Sequence, residues 1–204
     1  DAIIPKNPPR HLGGHAIDPL IAIGASTGGT EAILAVLSKL PVSMPGIVVV
    51  QHMPGSFTKS FAERLDRNSK LTVVEAANGE AVKAGKVYLA PGEQHMLVES
   101  LNRGYRIRLN DGPLVCRHRP SVDVLFRSVA QEARHHALGV ILTGMGDDGA
   151  QGMLEMRETG AFNVAQDESS CVVYGMPKVA LAKGGVDQVL NLEDISEMLV
   201  QKTH

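Results

Sequence analysis

Apolar residues fall into two alternating patterns along the chain: short unbroken runs, and longer segments in which they recur every three or four positions. Residues 20–23 (LIAI) and 46–51 (GIVVVQ) are runs of the first kind, and 71–75 (LTVVE), 86–90 (KVYLA), 138–143 (LGVILT), 162–166 (FNVAQ) and 186–190 (VDQVL) read as further strands. Such runs are expected of strands buried on both faces of a parallel sheet. Helical spacing follows several of them: Ala32, Ile33, Val36, Leu37 and Leu40; Phe57, Phe61 and Leu65; and Val122, Leu125, Phe126, Val129, Ala130 and Ala133. Shorter helices are predicted over about 150–158, over 177–183 and beyond Asp194. One stretch breaks the rule: HMLVES and YRIRLN alternate at period two around Asn102-Arg103-Gly104, which predicts a half-exposed antiparallel hairpin. The reading is an α/β fold, a doubly wound, mostly parallel sheet with helices on both faces and a short antiparallel hairpin excursion.

Residues 1–19 hold Pro5, Pro8, Pro9, Gly13 and Gly14 without periodicity and read as an interdomain linker, leaving 20–204 as one domain. The chain opens at Asp1 without Met, which leads us to expect a fragment of something longer. Of its 204 residues 44% are apolar and 21% charged, enough for one sizeable core. A net charge of -2 without a basic, aromatic-interleaved run gives no reason to expect nucleic acid as a partner, and no apolar run is long enough for membrane insertion. Two cysteines, Cys116 and Cys171, are too few for a disulfide framework and point to a reducing, cytoplasmic setting.

In such a sheet the chemistry gathers at the carboxyl ends of the strands. Gly24-Ala25-Ser26-Thr27-Gly28 stands there and matches Gly-x-Ser-x-Gly, a strand-to-helix turn that lifts a serine hydroxyl above the sheet. Two other readings stay open: Ser26 as a helix cap, and the turn as the phosphate cradle of a non-catalytic nucleotide- or phosphate-binding domain, although no Gly-x-Gly-x-x-Gly or Gly-Lys-Ser/Thr supports the latter. A base would come from His52 or His95, both of which follow strands. His52 follows its strand at once, in a turn like that of Ser26, and is favoured over a simple turn-capping role. His11, His15 and His204 fall in the chain ends, and His135 and His136 where a helix stops. An acid would come from Asp147 or Asp148 in Gly144-Met145-Gly146-Asp147-Asp148-Gly149, where one carboxylate could equally be a cap. No paired ligand motif argues for a metal or other cofactor, and none is expected.

GASTGG, VVVQHMPGSFT, LTGMGDDGAQG and VAQDESSCVVYGMP occur in this order, and together they resemble the catalytic domain of the chemotaxis protein-glutamate methylesterase family, CheB, over about residues 21–199. The resemblance implies a triad of Ser26, His52 and Asp148, the family's acid being the aspartate directly before Gly149. It also implies an oxyanion hole from backbone N–H groups at Thr27 and Met145. The implied activity is hydrolysis of glutamate methyl esters on chemoreceptors to methanol and glutamate, with deamidation of certain glutamines. The implied partners are the methylated cytoplasmic receptor helices and an N-terminal response-regulator receiver domain joined through the linker. The order Ser, His, Asp differs from the Ser, Asp, His of α/β-hydrolases. Arg117 to Asp123 resembles a further family segment, read first as solvated basic residues, Arg119 among them, and a helix cap at Ser121. Met53, Met145 and Met176 are read either as a rim for the receptor or as core filling.

Overall fold

A computed structural model describes residues 16–204. Residues 1–15, most of the expected linker with His11 and His15, lie outside the described part. Ala16 is buried, and the N–H groups of Ile17 and Asp18 bond the Arg103 carbonyl, so the last residues before the first strand lie against the hairpin connection.

Seven strands form one sheet: β1 (Leu20–Ala25), β2 (Gly46–Gln51), β3 (Thr72–Glu75), β4 (Lys86–Leu89), β7 (Ala137–Ile141), β8 (Phe162–Gln166) and β9 (Gln188–Leu190). Their order is β3-β4-β2-β1-β7-β8-β9 and every ladder is parallel. The intervening β5 (His95–Leu101) and β6 (Gly104–Asn110) pair antiparallel as a separate ribbon, which is the predicted excursion.

Alternate residues of β1 face opposite cores. Ile21, Ile23 and Ala25 join the side covered by α1 (Gly29–Leu37), α2 (Gly55–Arg67) and α6 (Leu192–Thr203). Leu20 and Ala22 join the side covered by α3 (Val122–Glu132), α4 (Ala150–Glu158), α5 (Met176–Lys183) and the ribbon. Because both faces are buried there, the central strands β1, β2 and β7 show runs rather than alternation. His204 follows α6 directly and bonds Ser43, so it is not a loose end. His135 and His136 lie in a 3-10 turn beyond the end of α3.

The feature that positions the site is the reversal of winding at β1. From β1 the chain moves to β2 and outward, then returns to β7 on the other side, so the crevice above β1 is a topological switch point. Among the described residues no helix is long and apolar enough to cross a membrane.

Candidate active site

Ser26 and His52 owe their proximity to strand register. β1 and β2 pair Ala25 with Gln51, so the next residues, Ser26 and His52, leave neighbouring strands side by side, about 4.8 Å apart in the ladder direction. The His52 N–H continues the ladder onto the Ala25 carbonyl (3.1 Å). The buried Gln51 amide then donates to the carbonyls of both Ser26 (2.8 Å) and His52 (3.1 Å), tying the two turns together. Ser26 is fixed from the other side as well, since its N–H donates to the Thr143 carbonyl (3.0 Å).

Asp148 arrives from the loop after β7. This strand ends at Ile141 rather than at Thr143, because the Thr143 N–H is taken by the Gln166 side chain (2.8 Å) in place of a ladder partner. The Thr143 hydroxyl in turn accepts from the Val173 N–H (2.9 Å) and donates to the Thr27 carbonyl (2.9 Å). Asp148 is 1% exposed and accepts four hydrogen bonds, two on each oxygen. Oδ1 takes the Ser121 hydroxyl (2.8 Å) and the Asp123 N–H (2.9 Å); Oδ2 takes the Val122 N–H (2.8 Å) and His52 Nε2 (2.7 Å). Val122 and Asp123 open α3, so the carboxylate sits on a helix N-terminus, where free N–H groups and the helix dipole favour negative charge. That approach needs glycine at position 24: a Cβ there would stand 2.3 Å from a Val122 methyl. Asp147, by contrast, is exposed, and its carbonyl accepts from Ala150.

With both Asp148 oxygens filled by donors, Nε2 of His52 is the protonated nitrogen and Nδ1 carries the lone pair. Nδ1 is buried and has no hydrogen-bond partner among the described residues. In the familiar serine-protease triad the two nitrogens have the opposite assignments. A hydrogen bond from the Ser26 hydroxyl to the ring is absent among the described residues; Asp148 and His52 are joined directly, and the serine stands beside them. Such contacts commonly close only when substrate is bound. The backbone N–H groups of Thr27 and Met145 make no hydrogen bond among the described residues, and both residues are exposed. Met145 is held at the rim by the Gly144 carbonyl, which accepts from Gly175 (3.1 Å) and Met176 (2.8 Å).

His95, the other candidate base, is fully buried and fully engaged. Its Nε2 donates to the Pro113 carbonyl (2.8 Å) and its Nδ1 accepts the Ser121 N–H (3.2 Å), while burial pushes its pKa below the ordinary value. It is therefore a strut beneath Ser121. Met176 is core rather than rim, whereas Met145 is 65% exposed. The reading of Ser121 as a cap was incomplete: it caps Val124 (3.4 Å) and also donates to Asp148. Periodicity gave no sign of Gln51, Gln166 or of His118, whose ring lies flat on His52.

Cys116, Asp123 and Asp148 bring three potential metal-ligand atoms within 4.8 Å of one another. The set suits a cation poorly. Burial and the adjoining Asp123 push the Cys116 thiol up to about 12, the thiol donates to Asp123 Oδ2 (3.3 Å), and Asp123 Oδ1 accepts the Gly152 N–H (2.7 Å). The phosphate-cradle reading also loses a donor, since the first N–H of α1, at Gly29, turns back onto the Ser26 carbonyl (2.7 Å).

A family model described as CheB methylesterase matches residues 21–199. The chain is 56% identical over 191 residues to a Pectobacterium atrosepticum protein named protein-glutamate methylesterase/protein-glutamine glutaminase, covering 94% of this chain and 55% of that one. It is 52% identical over 199 residues to a similarly named Geobacter metallireducens protein, covering 98% of this chain and 54% of that one. It superposes on the Thermotoga maritima CheB methylesterase catalytic domain with a TM-score of 0.88 at 41% identity, covering 91% of this chain and 98% of that one. The chain thus spans about half the length of the curated relatives it matches.

Proposed function

The chain belongs to the CheB methylesterase family, and we propose that it hydrolyses glutamate methyl esters on bacterial chemoreceptors, with deamidation of glutamine as a second activity of the same site. The observation that carries this reading is the His52–Asp148 bond of 2.7 Å beside Ser26, which leaves an unprotonated ring nitrogen at a strand-to-helix turn bearing a serine.

His52 Nδ1 takes the Ser26 proton as the hydroxyl oxygen attacks the ester carbonyl carbon. The new oxyanion is met by the N–H groups of Thr27 and Met145, each such donor typically worth about 3 kcal/mol. Asp148 keeps the proton on Nε2 and stabilises the imidazolium. The C–O bond to methanol then breaks as Nδ1 returns the proton to the leaving oxygen. Water repeats the attack on the acyl-serine, and glutamate is released. With a glutamine substrate the leaving group is ammonia. Val172, which covers the Gly28 turn, and Met145 are exposed apolar side chains beside this serine, which suits the apolar face of a receptor helix in the cytoplasm.

Ser26→Ala is expected to abolish methanol release from methylated receptor membranes without altering the fold; undiminished turnover would remove the serine mechanism. A serine-reactive phosphonate is expected to label Ser26, which a phosphate-binding module would not permit. In a longer protein carrying a receiver domain before residue 20, phosphorylation of that domain is expected to relieve inhibition. Equal activity of the unphosphorylated full-length protein and the isolated chain would contradict this.

A further inference from the structure

His118 lies outside the three side chains assigned above, yet its ring stacks on His52 with centroids 3.6 Å apart and planes within 5° of parallel. The backbone that presents it is unusual. Val115 and His118 exchange both backbone hydrogen bonds (3.0 and 2.9 Å) across a two-residue turn at Cys116 and Arg117. Both turn residues have positive φ, 50° and 67°, a left-handed conformation normally left to glycine or asparagine in this position. Strain of this kind persists where its surroundings enforce it, and it collects at functional sites. The enforcing contacts are on both sides of the turn. Cys116 Sγ donates to Asp123 Oδ2, and the Arg119 guanidinium donates to the Gly112 carbonyl (3.1 Å).

What the stack provides follows from what His52 lacks. The ring is held by one hydrogen bond, at Nε2, and its other nitrogen is free of partners among the described residues. A planar ring pinned at one atom tilts about that bond, and a tilt carries Nδ1 away from the serine. A second ring at van der Waals distance closes off one direction of tilt. Burial first, and then the neighbouring His52, hold the His118 pKa below its ordinary value, against the opposing pull of Asp148 and Asp147. Both causes favour an uncharged His118 ring beside a protonated His52.

We propose that His118 is a positioning residue for ester hydrolysis: its ring, laid flat on His52, keeps Nδ1 aimed at the Ser26 hydroxyl through proton transfer. This rests on the serine-hydrolase reading above.

The test compares His118→Ala, His118→Phe and Ser26→Ala in this chain, each below its own unfolding temperature. The assays are kcat and KM for methanol release from methylated receptor, and the downfield proton NMR signal of His52 Nε2–H recorded without substrate. His118→Ala is expected to lower kcat by about 10- to 100-fold, the scale of a small misplacement of a reacting group, with KM little changed and the downfield signal broadened. His118→Phe, which keeps a flat ring, is expected to recover most of kcat and the sharp signal. Full kcat in His118→Ala overturns the proposal, as does a Phe variant as slow as the Ala variant despite a sharp signal. Turnover by Ser26→Ala would instead refute the serine mechanism, whereas the substrate-free NMR comparison judges the stack independently.

Discussion

Lowering the pH should destabilise this protein through one histidine that takes no part in the chemistry. His95 is buried, bonds a carbonyl through Nε2 and accepts a backbone N–H at Nδ1. Adding a proton at Nδ1 would set two N–H groups against each other 3.2 Å apart. Burial, the largest cause, depresses the folded pKa below the ordinary value; Arg119 acts in the same direction, and the Pro113 bond and Asp148 oppose them. The unfolded chain therefore binds a proton that the folded chain refuses. The stability this confers is complete above about pH 6.5 and is lost as pH falls from there toward the folded value. The ceiling on this loss, set by a ring that never takes a proton in the fold, is about 2 kcal/mol at pH 5.0.

The assay is urea unfolding from pH 7.5 to 5.0, for the wild type and for His95→Gln, whose amide offers one donor and one acceptor but does not titrate. The chain has no Trp, so far-UV circular dichroism is the probe. His118, also held below its ordinary pKa, is present in both proteins and cancels in the difference. The wild type should lose stability relative to His95→Gln as the pH falls below about 6.5. A constant gap, or one that opens in the opposite direction, would refute the assignment of His95 as a neutral strut.

Three substitutions probe the rest of the support. Ser121→Ala removes one donor from Asp148 and the cap of α3, and is expected to cost about 2 kcal/mol in urea unfolding and roughly tenfold in methanol release, with Ser121→Thr restoring most of both. Gly24→Ala would drive a Cβ to 2.3 Å from Val122 and push the start of α3 off β1, lowering turnover by roughly 10- to 100-fold; pairing it with Val122→Ala should recover a measurable part. Gly144→Ala would place its Cβ 2.3 Å from Met176 Sδ and 2.8 Å from the Ser26 Cβ, so kcat should fall at least tenfold with little change in KM, as steady-state methanol release would show.

The layered architecture was legible because burial on both faces writes itself into a strand as a continuous apolar run, and β1, β2 and β7 carry such runs. The juxtaposition of Ser26 and His52 was legible for a related reason: each follows its run at once, and parallel strands present their carboxyl ends together. The choice between Asp147 and Asp148 was not legible from spacing, because it depends on which carboxylate meets the start of α3, some 25 residues earlier in the chain. His95 misled the period-two reading in one respect: the alternation of β5 is real, but α3 packs over the ribbon, and the first residue of β5 is buried with no exposed edge. Gln51, Thr143 and Gln166 were silent because a polar side chain at the end of a buried strand looks the same whether it meets water or two distant carbonyls.

The three positions are not equally secured, and topology explains why. Ser26 and His52 are one strand spacing apart and inherit their separation from the β1–β2 ladder, which no single side chain controls. Asp148 follows β7, on the far side of β1 and about 10 Å from β2, a gap of two strand spacings that no ladder bridges. The loop after β7 must fold back over the end of β1, and it brings a negative charge into a buried site where desolvation is costly. The start of α3 offsets that cost with two N–H groups and a hydroxyl, and it can do so only because residue 24 lacks a side chain. Apart from the proposed nucleophile and base themselves, sensitivity to mutation should therefore concentrate where α3 meets β1 and the Asp148 loop rather than along the residues that flank Ser26 and His52.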